Sequence, residues 1–213
     1  MRVRRVVNMR TGLIAAAFLL LLLCGGRAGA DELEDLVLRL APMHSKRYTT
    51  ADFIQTRRIK AMDMTLEIKG SMVCERNGRL RWQTDTPLKT VTVIDSQKLT
   101  HFDAETGKVV TLDTAKLKQM SDLLNNLAAW MSGDLGRIKQ FCAVKITGKN
   151  SIYLTPLAEN SDLQFKSCNI SFQPDFRGME KIIIVEPSGD VLEIKFFNQI
   201  LSDKVDSRVW SVK

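Results

Sequence analysis

Side chains able to do chemistry are few in this chain of 213 residues, and they stand apart. Its two histidines, His44 and His101, lie far from one another and belong to no H-E-x-x-H or similar metal-binding spacing. No G-x-S-x-G elbow marks an activated serine, and neither G-x-x-x-x-G-K-S/T nor G-x-G-x-x-G is present to cradle phosphates. Acidic residues are scattered singly, so no pair of them suggests a general acid and base. Past residue 30 three cysteines remain, Cys74, Cys142 and Cys168, without the short spacing of a zinc or redox motif. An odd number permits at most one disulfide, and the simplest reading is three small buried apolar side chains. The expected chemistry is therefore binding, with no enzyme activity, cofactor or metal. A hydrolase acting on lipid esters would need a serine brought beside His44 or His101.

What does stand out is an apolar series that ends in an arginine. Met64, Leu66, Ile68, Gly70, Met72 and Cys74 alternate with Thr65, Glu67, Lys69, Ser71 and Val73, the period of a strand with one greasy face. Methionine is unbranched and adaptable. The seven methionines after residue 30 either fill a core or line a cavity that accepts flexible apolar ligands. Continuing the alternation sets Arg76 on the greasy face, where a guanidinium needs partners. The alternative is a rim position beside the Asn77-Gly78 turn, with its head in water.

The segments around this strand fix the setting. Arg2, Arg4, Arg5 and Arg10, then an apolar run from Gly12 to Leu23, then Ala28-Gly29-Ala30, predict an export signal cleaved after Ala30. The run is shorter than the roughly 20 residues that cross a bilayer. Acylation at Cys24 is the competing fate, and Leu23 before it fits that peptidase poorly. Cleavage would remove five basic residues and leave 26 basic against 24 acidic, so the formal charge falls from +7 to +2. That balance offers no concentrated basic patch for nucleic acid. The remaining 183 residues, 31–213, contain no linker-like stretch and predict one periplasmic domain, expected to be a monomer.

Leu33, Leu36, Val37 and Leu40 predict a short amphipathic helix ended by Pro42. Strand periodicity starts at Phe53, and Asn77-Gly78 predicts a hairpin that returns Arg79 to Gln83, with Leu80 and Trp82 on one face. Strand-like runs follow at Lys89 to Ile94, Lys98 to Phe102 and Lys108 to Leu112. A helix is predicted over Ala115 to Ser132, carrying Leu117, Met120, Leu124, Leu127 and Met131 on one stripe. Strands resume at Phe141 to Thr147, Ser151 to Thr155, Leu163 to Phe172, Glu180 to Val185 and Val191 to Phe197. About ten short strands with two helical pieces predict a mainly β (α+β) fold: a curved antiparallel sheet or unclosed barrel with helices as covers.

Phe53-Ile54-Gln55, the strand glycine Gly70, Glu75-Arg76-Asn77-Gly78-Arg79-Leu80-Arg81-Trp82, Pro87 and Val93-Ile94-Asp95 stand in an order that resembles the outer-membrane lipoprotein carrier (LolA-like) family. The resemblance continues through Tyr153-Leu154-Thr155-Pro156 and Ile194-Lys195-Phe196, and so covers nearly all of Asp31 to Asn198. It implies an unclosed antiparallel barrel with a helical lid over an apolar cavity that shields lipoprotein acyl chains. It also implies passage from an inner-membrane ABC transporter to an outer-membrane acceptor lipoprotein, with Arg76 as the residue tied to lid closure and ligand release. Asn77, where the family usually has proline, departs from the pattern. The residues expected at the ligand or lid are Arg76, Met64, Leu66, Ile68, Met72, Leu80, Trp82, Leu124, Leu127 and Met131. A carrier of glycolipid or another envelope lipid on the same fold is the second expectation.

Overall fold

Alternating β-branched and aromatic residues pair into strands when each can turn one face to a common core. The described residues of this chain do so eleven times. The structure is a computed structural model, described for residues 28–76, 78–114, 129–157 and 165–212. It divides into two units, Met1–Leu36 and Val37–Lys213, and the sheet lies wholly in the second. The strands are β1 (Tyr48–Ile59), β2 (Met64–Glu75), β3 (Arg79–Thr86), β4 (Thr90–Ile94), β5 (Lys98–Asp103), β6 (Val109–Asp113), β7 (Cys142–Gly148), β8 (Ser151–Pro156), β9 (Ser167–Phe172), β10 (Met179–Val185) and β11 (Val191–Ser202). Helix α1 (Ala28–His44) precedes them and a single helical turn, α2 (Leu135–Ile138), follows β6.

The sheet order is β6-β5-β4-β3-β2-β1-β11-β10-β9-β8-β7, with neighbouring strands antiparallel throughout. Two meanders, β1 to β6 and β7 to β11, are thus joined along one seam, where the first strand pairs with the last. β6 and β7 are the two free edges, so the sheet does not close. Register shifts at Thr50/Asp52, Lys69/Gly70, Ile146/Gly148 and Met179/Lys181 add the local bends that curve it.

The inner face carries the core: Phe53, Met72, Cys74 and Leu80 in one meander, Ile152, Leu154, Ile170, Phe172, Ile182 and Phe196 in the other. Phe53 stacks on Trp82 with ring centroids 4.0 Å apart. Gly70 makes that stack possible, because a Cβ there would stand 1.9 Å from the Gln83 carbonyl oxygen and 2.9 Å from Phe53 Cζ.

Several sequence boundaries need correction. β1 begins at Tyr48, five residues before the predicted start, because Tyr48, Thr49 and Thr50 find partners on both β2 and β11. Pro42 does not end α1, which runs on to His44; a proline in the last turn loses only one of the helix's backbone bonds. Val37, expected on the buried stripe, is exposed, whereas Leu40 and Met43 are buried. β11 continues five residues past Phe197 to Ser202, carried by its pairing with the start of β1. β9 begins at Ser167, after the described Phe165 and Lys166, so the strand starts later than expected; Leu163 itself, with residues 158–164, lies outside the described residues.

All three described cysteines are buried and free. Burial pushes the Cys74 thiol up to about 12 and the Cys142 thiol up to about 11, and raises Cys168 as well. The thiolate is the reactive form. Alkylation of the folded protein at neutral pH should therefore run at least about 100-fold slower than in the denatured chain. Counting modified thiols by mass against time checks this, and rapid labelling of any one of the three would contradict it.

Candidate functional site

The series from Met64 to Cys74 occupies one face of β2 as its period requires, but burial is graded along it. Met64, at the hairpin end, is 44% exposed, Leu66 and Ile68 are half-buried, and Met72 and Cys74 are buried. Met72 lies opposite Trp82 and Cys74 opposite Leu80, so three of the expected ligand residues, Met72, Leu80 and Trp82, form one patch with Cys74 on the inner face of β2 and β3. Met131 is buried as well, 3% exposed, at the end of a helical stretch described over residues 129–132. Leu124 and Leu127 lie outside the described residues, as does most of the predicted helix from Ala115 to Ser132.

Further from the core patch the inner face becomes hydroxyl-bearing. Thr84 and Thr90 hydroxyls share a hydrogen bond at 2.8 Å, and Thr92 Oγ1 bonds His101 Nδ1 at 2.8 Å. Those contacts occupy the groups that could otherwise solvate a polar ligand there.

Arg76 closes one end of this face. β2 stops at Glu75, and the Arg76 N–H donates to the Arg47 carbonyl at 2.9 Å, which turns the chain toward β3. The guanidinium is exposed, in the rim position, and its Nη1 donates to the carbonyl of His44 at the C-terminal end of α1. The carbonyls of a last helical turn have no intrahelical partner, so a guanidinium is a natural complement. His44 Nε2 is in turn 3.2 Å from the Gly133 carbonyl oxygen. Three elements thus meet at one rim: the end of α1, the β2–β3 turn and the segment around Gly133.

Local sequence explains the third element. Gly133 has φ +66°, and the Gly133 N–H to Trp130 and Asp134 N–H to Ala129 bonds form the paired closure of a helix that ends in a left-handed glycine. A Cβ on Gly133 would come 3.3 Å from Met43 Sδ and 3.4 Å from Leu40 Cδ2. That lets α1 rest closely on the turn. Asp134 then accepts from the Arg137 N–H at 3.0 Å and starts α2. Behind Arg76 lies a void of about 10 Å³, bordered among the described residues by Met43, Cys74 and Met131. Both methionines on its wall, Met43 and Met131, are buried, as is Met72 on the same face of β2 as Cys74.

The opposite face of the same strand end holds a feature that alternation did not reveal. Glu75 is buried there, accepting from Arg47 Nε at 2.9 Å and Nη2 at 2.6 Å, with Arg79 Nε 3.6 Å away. The bond to Glu75 raises the Arg47 pKa. Trp210, from the helical turn Ser207–Trp210, lies under the Arg79 guanidinium at 4.8 Å and beside Tyr48 at 6.4 Å. Arg81 Nη1 fastens the segment by donating to the Val209 and Ser211 carbonyls at 3.0 and 2.6 Å. Val73 and Glu75 are buried on that face although the sequence reads it as mostly polar and open. Glu75 and the C-terminal cover were legible only as a charge and a tryptophan far apart in sequence.

Neither histidine has a serine hydroxyl among its hydrogen-bond partners in the described residues, and no metal-ligating group of three acidic, histidine or cysteine side chains occurs there. No described helix is long and apolar enough to cross a membrane.

Comparison with known proteins bears on the whole arrangement. A family model described as outer membrane lipoprotein carrier protein LolA matches residues 45–213. The chain is 31% identical over 151 residues to an outer-membrane lipoprotein carrier protein of Pseudomonas entomophila, covering 68% of each chain. It is 24% identical over 198 residues to the protein of that description from Pseudomonas aeruginosa, covering 92% of each. Among solved structures, a LolA superfamily protein from Nitrosomonas europaea aligns with a TM-score of 0.45 and 9% identity over 84% of this chain and 96% of that one. The matched span starts at Ser45, just before β1, and takes in all eleven strands and the Arg76 turn: this chain belongs to the outer-membrane lipoprotein carrier family.

Proposed function

We propose that the protein is a periplasmic carrier that acts after removal of residues 1–30, holds lipoprotein acyl chains against the inner face of its sheet, and moves them from the inner to the outer membrane. Cargo arrives from an inner-membrane ABC transporter and leaves to an outer-membrane acceptor lipoprotein. Family membership supports this reading, and one structural observation carries it: an apolar face rich in adaptable methionines, shut at its rim by a single arginine on a helix-terminal carbonyl. Each CH₂ withdrawn from water contributes about 0.8 kcal/mol, so one long acyl chain gains on the order of 10 kcal/mol by entering. A transporter must supply cargo already free of the bilayer, and an acceptor must offer a better apolar site.

Met72, Leu80 and Trp82 are the proposed contacts of the innermost part of the chain, Leu66 and Ile68 of its outer part. Met131 and Met43 move aside to admit it. Breaking the Arg76 to His44 bond is the opening step, and its re-formation in the empty carrier favours release. No bond of the cargo is made or broken, and no catalytic group is required.

Native mass spectrometry of the protein recovered from the periplasm, with and without a triacylated lipoprotein, tests the reading. A one-to-one complex is expected, with transfer to an acceptor slowed at least about tenfold in Arg76→Leu while the unfolding midpoint stays near that of the parent. Normal transfer by Arg76→Leu would remove the arginine from the mechanism. Co-purification of a small envelope lipid with no lipoprotein complex would replace the cargo.

A further inference from the structure

The seam strand β11 is left half-paired at the rim. β10 pairs with β11 only as far as Lys181 against Lys195, whereas β1 stays paired with it to Tyr48 against Ser202. Where β10 ends, the Gln199 side chain takes over: its Oε1 accepts the Met179 N–H at 3.1 Å and its Nε2 donates to the Met179 carbonyl. The loop from β9 to β10 then bends away through Phe176, at φ +56°, and through Gly178, where a Cβ would fall 2.3 Å from Gln199 Oε1. Ile200, Leu201 and Ser202 therefore have a strand on one side and, among the described residues, none on the other. Successive residues of an antiparallel strand turn their N–H and C=O to opposite neighbours, so this open side presents main-chain donors and acceptors.

A cleft of about 510 Å³ lies over that edge, within the usual range for ligand clefts. Ile200 and Leu201 line it together with Ser45, Lys46, Gln173, Asp175 and Arg177. Lys46 is ion-paired with Asp203 at 2.6 Å, but Arg177 makes no ion pair among the described residues. Lys46 also borders the void behind Arg76, so the cleft begins where the mouth of the apolar face ends.

We infer that this cleft is a peptide subsite: it takes, in extended form, the polypeptide segment that follows the acylated residue of the cargo, which adds as a strand to the open edge of β11. The inference rests on the carrier reading above and gives the protein part of the cargo a place. Acyl chains that enter beside Arg76 leave their polypeptide at the rim. Ile200 to Ser202 offer unpaired main chain beside that rim, across Lys46, which borders both the void and the cleft. Main-chain hydrogen bonding supplies affinity without reading sequence, which suits a carrier of many cargoes. Gln173 and Arg177 offer donors to the carbonyls on the far side of the added segment.

The test compares three probes on the exported protein: a triacylated cysteine with a minimal peptide, the same head with a linker of about ten residues, and that long probe with its linker amides N-methylated. The long probe should bind about tenfold more tightly than the minimal one, N-methylation should abolish the gain, and only the unmodified linker should shift the amide resonances of Ile200 to Ser202 and Arg177. Equal affinity for all three, or linker shifts elsewhere on the surface, overturns the subsite while leaving the acyl-carrier reading intact. If no acylated probe binds, the carrier reading fails by itself. The unacylated linker at millimolar concentration then decides the cleft: shifts at Ile200 to Ser202 support it, and their absence overturns it.

Discussion

Gly70→Ala should lower the unfolding free energy by about 3 kcal/mol, the upper end of what overpacking usually costs. The new methyl group meets the Gln83 carbonyl oxygen at 1.9 Å, and that atom belongs to a paired backbone and not to a flexible side chain. Relief needs either a shift of β3 away from β2 or loss of the stack between Phe53 and Trp82, and both withdraw packing from the middle of the inner face. Any gain from restricting the unfolded chain is under about 1 kcal/mol and does not compensate. Urea unfolding followed by tryptophan fluorescence gives the number. A midpoint unchanged from that of Lys69→Ala, at the exposed neighbour, would show that β3 moves at no cost.

The double variant Arg47→Ala with Arg79→Ala should cost about 3 kcal/mol, because it leaves the buried Glu75 carboxylate without a cation. Each single change should cost clearly less than half of that, since the second guanidinium can still approach and both arginines are partly in water. Adding Glu75→Gln to the double variant should recover about 1 kcal/mol or more, because a neutral amide is cheaper to bury than an uncompensated charge. Recovery separates a buried-charge effect from simple loss of the guanidinium groups that lie over the Tyr48 and Trp210 rings. If the triple variant is no more stable than the double one, packing is the whole effect.

The fold was legible wherever one face of a strand is wet. The alternation from Met64 to Cys74, the hairpin at Gly78 and the turn before Val191 each state their own geometry, and strand after strand falls within a few residues of its expected place. Boundaries slipped where distant partners decide them. Tyr48 to Ala51 precede the first clear alternation at Phe53 and become strand because β2 and β11 flank them, and Asn198 to Ser202 extend β11 because β1 is there to pair with.

Of the candidate site, Arg76 and the inner residues Met72, Leu80 and Trp82 were visible from period and spacing. The partner of Arg76 was not, since a main-chain carbonyl has no letter of its own in a sequence. Glu75 stood only as one of the singly scattered acids, since partners distant in sequence decide its setting. Its burial follows from Arg47, Arg79 and Trp210 converging from three separate segments.

The seam between β1 and β11 has a bearing on how the chain acquires its structure. Every other strand pair joins neighbours in sequence, so each meander is a set of local hairpins that can form in microseconds. Tyr48 against Ser202 closes a loop of most of the molecule, and such closure must precede the contacts that reward it. The two meanders should therefore appear first and zip together last. Until they do, Phe53 and Phe196 lack each other's cover, which makes the interval before zipping the time when a newly made chain is most exposed to aggregation.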